Sequence, residues 1–273
     1  MKSFITRAIS ALIALALLIG LFYFLGNNGI KIAIGLVVLK GTQELIRMLL
    51  HHEQSKVIKG LFYVLTVIVF IASCLSLSLG SLVMAMAFVF FAIGTLMTLH
   101  KTGDLQRMSL LPAHAVLGFI YMGFFPGFAF RILELDKGLM WFVMLLAVVF
   151  AGDTMAYVFG VLWGKHKVMP NVSPKKTYQG SIGGLFGSGV AGALSAVYLL
   201  PGASVPLFVC LSIFAGICAQ FGDFFESLLK RHAGVKDSGS IMPGHGGVLD
   251  RIDGVLFAAP IILAGALYLN HTF

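Results

Sequence analysis

Residues 243–260 read PGHGGVLDRIDGVLFAAP. A glycine-rich turn, a histidine, an arginine and two aspartates run straight into an apolar segment. The rest of the chain is mostly of the second kind. Hydrophobic residues make up 59% of its 273 residues and charged residues only 11%, and the mean hydropathy is +0.97. A soluble domain carries roughly a quarter charged residues. A single soluble core could not hide this much apolar surface, so lipid is the expected solvent for most of the chain.

The expected fold is an all-α integral membrane protein, a polytopic bundle of about nine transmembrane helices. A spanning helix needs about 20 largely apolar residues. Nine stretches qualify: 8–26, 30–50, 57–78, 80–99, 110–130, 139–160, 181–200, 206–228 and 255–271. A tight Leu79-Gly80 turn is the expected break between the third and fourth. The first stretch reads as an uncleaved span, because FYFLGNNG after it offers no convincing signal-peptidase site. With the N-terminus cytoplasmic and the C-terminus outside, fifteen Lys and Arg fall on the inner side. Only Lys31, Arg131 and Lys137 fall on the outer side, as the positive-inside rule requires. The net charge of +8 is thus explained by topology, and no nucleic-acid partner is expected. Cys74, Cys210 and Cys218 lie in apolar segments without a C-x-x-C pair and read as small core residues.

Two parts are expected: residues 1–140 as an N-terminal scaffold of lipid-facing helices, and residues 141–273 as a catalytic membrane region. The second part carries two long, basic, Gly/Pro/Ser-rich inner loops, 163–184 and 230–254. Ionisable residues inside spans are costly and usually mark a site. Five of the eleven acidic residues are Asp153, Asp223, Glu226, Asp250 and Asp253. All five fall at or near the cytoplasmic ends of spans six, eight and nine, where they could share one pocket.

Asp250 and Asp253 are three apart, as are Asp223 and Glu226, which places each pair on one helix face. Oxygen ligands of this kind suit Mg²⁺, which takes one or two carboxylates and binds substrate phosphates with its remaining positions. Helix-end salt bridges to Arg251, Lys230 and Arg231 are the other reading, and spacing alone leaves both open. The loops favour the metal. Ser173–Thr177, SPKKT, sets two lysines and two hydroxyls in a short turn. His245, Gly246 and Gly247 lie in GHGG, whose backbone amides suit an anion such as phosphate. Carboxylates, cations and glycine turns together point to a metal–phosphate site at the membrane surface. His51, His52, His100 and His114 show no metal-ligand spacing and read as surface or interfacial residues.

These residues carry a resemblance. Ser227–Asp253, SLLKRHAGVKDSGSIMPGHGGVLDRID, is similar to the signature of the phosphatidate cytidylyltransferases, also called CDP-diacylglycerol synthases. The fixed positions present are Ser227, Lys230, Arg231, Lys236, Asp237, His245, Gly246, Gly247, Asp250, Arg251 and Asp253. GDFFES resembles the family's G-D-L-x-E-S, with Phe224 in place of Leu. The run from Gly152 through SPKKT to Gly184 also resembles the family. The motif-bearing resemblance covers roughly residues 150–260; the first 150 match only as hydrophobic spans.

The resemblance implies transfer of CMP from CTP to phosphatidic acid, giving CDP-diacylglycerol and pyrophosphate, with Mg²⁺ and in some members a second monovalent cation such as K⁺. It implies that Asp223 and Asp250 hold the metal, with Asp253 at or beside it. Ser173, Lys175, Lys176 and Thr177 would hold the CTP phosphates. Lys230, Arg231, Lys236 and Arg251 would neutralise pyrophosphate and the phosphatidate headgroup. Asp153 and His245 would support, and Ser227, Asp237, Gly246 and Gly247 would complete the substrate contacts. The expected partners are CTP, phosphatidic acid and membrane lipids; a homodimer is left open. The compact chain without long polar extensions suggests a bacterial inner membrane, with the site facing the cytoplasm.

Two other readings fit part of the pattern. A CDP-alcohol phosphotransferase carries D-x-x-D-G-x-x-A-R and then a second aspartate pair. DRIDGVLFA matches its opening, but Phe257-Ala258 replaces Ala-Arg and no acidic residue follows Asp253. An ion-coupled transporter usually carries polar residues near mid-membrane in matched halves, whereas here they lie at one face and in the second half only.

Overall fold

The computed structural model describes residues 13, 16–241 and 246–269. The chain divides into two compact units, Met1–Phe130 with His232–Asp250, and Arg131–Arg231 with Arg251–Phe273. The first holds α1 (Ala16–Leu25), α2 (Asn27–Leu49), α3 (Lys56–Leu75), α4 (Leu77–Leu99) and α5 (Leu105–Gly118). A π-helical stretch, Phe119–Phe124, links α5 to α6 (Phe125–Ile132), and α6 runs on into the second unit.

Short polar residues set these helix limits. Ser55 accepts the Ile58 N–H (3.3 Å) at the start of α3, and Asp104 accepts the Arg107 N–H (3.0 Å) at the start of α5. The break between α3 and α4 falls at Ser76 and not at the expected Leu79-Gly80. The Ser76 N–H donates to the Ala72 carbonyl (3.1 Å), closing α3. Its hydroxyl accepts the Leu79 N–H (3.1 Å), opening α4. A serine in extended conformation ends one helix and caps the next. Gly80 serves packing instead: a Cβ there would lie 2.8 Å from Ser73 Cα.

In this unit Phe62 lies 6.1 Å from Phe91 and 5.9 Å from Phe119, ring to ring. All three rings are fully buried. The buried Thr42 and Thr66 hydroxyls turn back on the carbonyls of Val38 and Phe62, each at 2.7 Å. That satisfies a hydroxyl where no water is available.

The second unit holds α7 (Gly138–Trp163), a short antiparallel hairpin of β1 (Lys167–Met169) and β2 (Ser173–Thr177), and α8 (Tyr178–Leu194). A π-helical stretch, Ser195–Leu199, extends α8; α9 (Val205–His232) and α10 (Leu249–Leu269) follow. Small residues let α7 and α8 approach closely, as membrane helices do. The Ser188 hydroxyl donates to the Val148 carbonyl (3.0 Å), and a Cβ on Gly187 would lie 2.6 Å from the Ala151 carbonyl oxygen. Trp141 stacks on Phe208 at 5.1 Å, both fully buried.

Among the described residues seven helices are long and apolar enough to cross a membrane. They match the last seven expected spans. Of the first expected span, 8–26, only the part from α1 is described. The second, 30–50, is helical as α2 but carries Lys31, Lys40, Glu44 and Arg47. The expected loop 163–184 is shorter than it reads. SPKKT forms strand β2 in place of a turn, and α8 begins at Tyr178. Among the described residues this hairpin is the one sheet.

In the turn between α2 and α3, the Glu53 carboxylate is almost fully buried. It accepts from Arg107 Nη2 (2.6 Å) and Nε (3.0 Å) and from the Ser55 N–H (2.6 Å). Burial alone would raise the Glu53 pKa; the Arg107 hydrogen bonds and charge, with the Ser55 and Gln54 amides, outweigh it and hold it below the usual 4.5. A carboxylate depressed on folding contributes stability that is present above 4.5 and lost as pH falls through the folded value. In thermal melts of the detergent-solubilised protein, Glu53→Gln is expected to lower Tm near neutral pH and to flatten its decline below pH 4.5.

Candidate active site

The hairpin places the lysines of SPKKT. Lys167 pairs with Thr177 and Met169 with Ser173, and the Gln179 side chain accepts the Lys165 N–H (3.1 Å) at its base. Alternation along β2 separates neighbouring side chains. Lys175 is exposed, while Lys176 is half-buried and forms an ion pair with Asp223 of α9. The Lys176 ammonium also lies 4.5 Å from the centre of the Phe224 ring, a cation–π contact. Thr177 is buried and caps α8, accepting the Gly180 N–H (3.2 Å). Ser173 is half-buried.

Asp223 gathers more of the expected residues. The Ser227 hydroxyl, one turn further along α9, lies 3.4 Å from Asp223 Oδ1. Gly222 lets α9 meet α10: a Cβ there would run into the Asp253 backbone carbonyl. Asp253 accepts the Gly254 N–H (2.8 Å) and interacts electrostatically with Asp223, Asp153 and Lys176. Asp153, on α7, interacts with Asp223, Lys176 and Arg251. Three carboxylates from α7, α9 and α10 therefore share one neighbourhood with Lys176 in this unit.

Three further cations of the signature are placed differently. Lys230 forms an ion pair with the fully buried Glu226, one turn away on α9. Arg231 donates from Nε to the Val172 carbonyl (3.4 Å) beside β2. Arg251 is exposed.

Asp250 sits in a turn of the first unit, at the start of α10. Its Oδ2 accepts from the Gly247 N–H (2.7 Å), the Ser238 N–H (3.0 Å) and the Ser238 hydroxyl (2.9 Å). Gly246 has φ +85, a left-handed conformation that suits glycine, and a Cβ on it would run into Asp250 Oδ2. Lys236 and Asp237 are exposed in the same segment. His245 lies outside the described residues.

Sequence reasoning passed over Glu44 of α2, which is fully buried. Its Oε2 lies 3.1 Å from the Ser238 hydroxyl and accepts the Leu249 N–H (3.0 Å). The signal was there: it is a carboxylate inside an expected span, like Asp153. It also missed a cavity of about 420 Å³ lined by His51, His52, His114 and His232 with Glu53 and Arg107. His114 and His232 are far in sequence from the adjacent His51 and His52, so spacing gave no sign of it.

Among the described residues no three His, Cys, Asp or Glu side chains are grouped as a metal site. Mg²⁺ needs only one or two carboxylates from the protein. The acidic groups around Asp223 offer hard oxygen donors without thiol or imidazole, and that chemistry fits such an ion.

A sequence profile described as the cytidylyltransferase family matches residues 5–269. A phosphatidate cytidylyltransferase of Staphylococcus haemolyticus is 32% identical over 262 residues, covering 94% of this chain and 96% of that protein. Enzymes of the same name from Staphylococcus saprophyticus and Staphylococcus aureus strain COL are each 38% identical over 158 residues, 58% of this chain and 60% of theirs.

The cap on α8 has a measurable consequence. Loss of an N-cap hydroxyl costs about 1 kcal/mol. Thr177→Val is expected to lower Tm in a thermal melt, while Thr177→Ser, which keeps the acceptor oxygen, retains most of the stability.

Proposed function

The chain belongs to the cytidylyltransferase family, and we propose that it transfers CMP from CTP to phosphatidic acid. A phosphate oxygen of phosphatidate forms a bond to the α-phosphorus of CTP. The bond from that phosphorus to the bridging oxygen breaks, and pyrophosphate leaves. The observation that carries this reading is the Lys176–Asp223 ion pair, which joins the SPKKT strand to the helix that opens the Ser227–Asp253 signature.

Nucleotidyl transfer of this kind relies on positioning and charge neutralisation, not on a protein nucleophile. In this reading the Lys176 ammonium does both. It is held by Asp223 beside the strand and can donate to a phosphate oxygen of CTP. Lys175, exposed on the same strand, and the Ser173 hydroxyl add contacts to the triphosphate. Lys230, Arg231, Lys236 and Arg251 offset the charge of pyrophosphate and of the lipid phosphate. Ser227 steadies the Asp223 carboxylate.

Mg²⁺, when bound, would neutralise the triphosphate and polarise the reacting phosphoryl group. Asp223 and Asp250 are its proposed ligands, with Asp253 at or beside it; this assignment rests on the sequence pattern. The finer topology is also a proposal. Nine spans with a cytoplasmic N-terminus and an outer C-terminus would put both basic loops in the cytoplasm of a bacterial cell. CTP would arrive there, while phosphatidate presents its phosphate at the surface of the plasma membrane.

The test uses purified protein in detergent with cytidine-labelled CTP and phosphatidate. Lipid-soluble label is expected, dependent on Mg²⁺ and abolished by chelation. Asp223→Ala and Asp250→Ala are each expected to abolish CTP-dependent transfer while the protein still inserts into membranes. Full activity in Asp250→Ala would remove that residue from the metal site.

A further inference from the structure

Glu44 is the one carboxylate of α2, and it is fully buried. Removing a carboxylate from water is costly unless its oxygens find donors. Here the donors come from the turn that precedes α10. The Leu249 N–H belongs to the first turn of α10, where amides have no partner within their own helix. Glu44 Oε2 accepts it at 3.0 Å. A carboxylate at that end also opposes the helix dipole. Glu44 thus caps α10 from a residue about two hundred positions earlier in the chain.

The same oxygen lies 3.1 Å from the Ser238 hydroxyl, and that hydroxyl lies 2.9 Å from Asp250 Oδ2. Ser238 also gives its backbone N–H to Asp250 Oδ2 at 3.0 Å. One serine therefore stands between two carboxylates and touches both. The turn is shaped around them. A Cβ on Gly239 or on Gly247 would collide with the Glu44 carboxylate, so side chains at either position would displace it. Glu44 Oε1 has no hydrogen-bond partner among the described residues.

We infer that Glu44 is a positioning residue that aims the Asp250 carboxylate by holding Ser238 and the first turn of α10. It would not touch substrate. This inference rests on the reading of Asp250 as a metal ligand. Outer partners of metal ligands typically contribute about 10–100-fold in metal affinity or activity. Glu44, Ser238 and Asp250 should then behave as one unit, with effects that do not add.

The test is direct titration of the purified full chain with Mg²⁺ by calorimetry, alongside CDP-lipid formation against Mg²⁺ concentration and a thermal melt. Wild type, Glu44→Gln, Ser238→Ala, the double variant and Asp250→Asn are compared. Each single variant is expected to weaken Mg²⁺ binding and raise the half-saturating Mg²⁺ for turnover by about 10-fold, and the double variant to do no more. A lower Tm with unchanged Mg²⁺ binding would make Glu44 merely structural and overturn the inference. Additive effects in the double variant would overturn the route through Ser238. If Glu44→Gln does not fold, the inference stands or falls on Ser238→Ala by the same titration. Failure of the metal reading itself looks different: Asp250→Asn would then bind Mg²⁺ as wild type does.

Discussion

A carboxylate set among helices that lipid surrounds must be matched by a cation or by several donors, because no water is there to do it. The ion pair of Lys176 with Asp223 meets that requirement toward the C-terminal end of α9. Much of the second unit follows from it. The hairpin exists to deliver Lys176 from the correct side of a strand. Gly222 exists to bring the α10 backbone against α9. The same ammonium also acts on Asp153 and Asp253. Without that cation the three carboxylates would only repel one another. With it, they form one polar patch.

The turn before α10 solves the same problem without a lysine. Asp250 is matched by donors: two backbone amides and a serine hydroxyl meet one of its oxygens. Glycines at 246 and 247 leave the room those donors need. Glu44 is matched by the Leu249 amide and lies beside the same serine hydroxyl, whose one proton can serve only one of the two carboxylates. At 239, 246 and 247 a side chain would displace a carboxylate, so those positions stay glycine.

The fold was largely legible, because apolar runs of about 20 residues report a spanning helix whatever packs beside them. Seven expected spans coincide with apolar helices. The break at Ser76 was misplaced because a glycine was read as a turn when it serves close packing. SPKKT was read as a turn because proline and serine dominate it, yet pairing with Lys167–Met169 makes it a strand; two three-to-five-residue strands leave almost no periodicity to read. Lys176 and Asp223 were both named from the sequence, but their pairing was not, since 47 positions separate them. Glu44 is harder to read, because it lies far in sequence from the acidic residues clustered in the second half. Its partners lie about two hundred residues away, and nothing local announces them.

The central claim is that the α-phosphorus of CTP moves to a lipid phosphate and pyrophosphate leaves. The most direct measurement supplies the purified protein with phosphatidate, Mg²⁺ and CTP labelled in separate reactions at the α- or the γ-phosphorus, then divides lipid from water. Label from the α position is expected in the lipid phase and label from the γ position in aqueous pyrophosphate. Label from the γ position in the lipid, or no lipid label from either, would contradict the account.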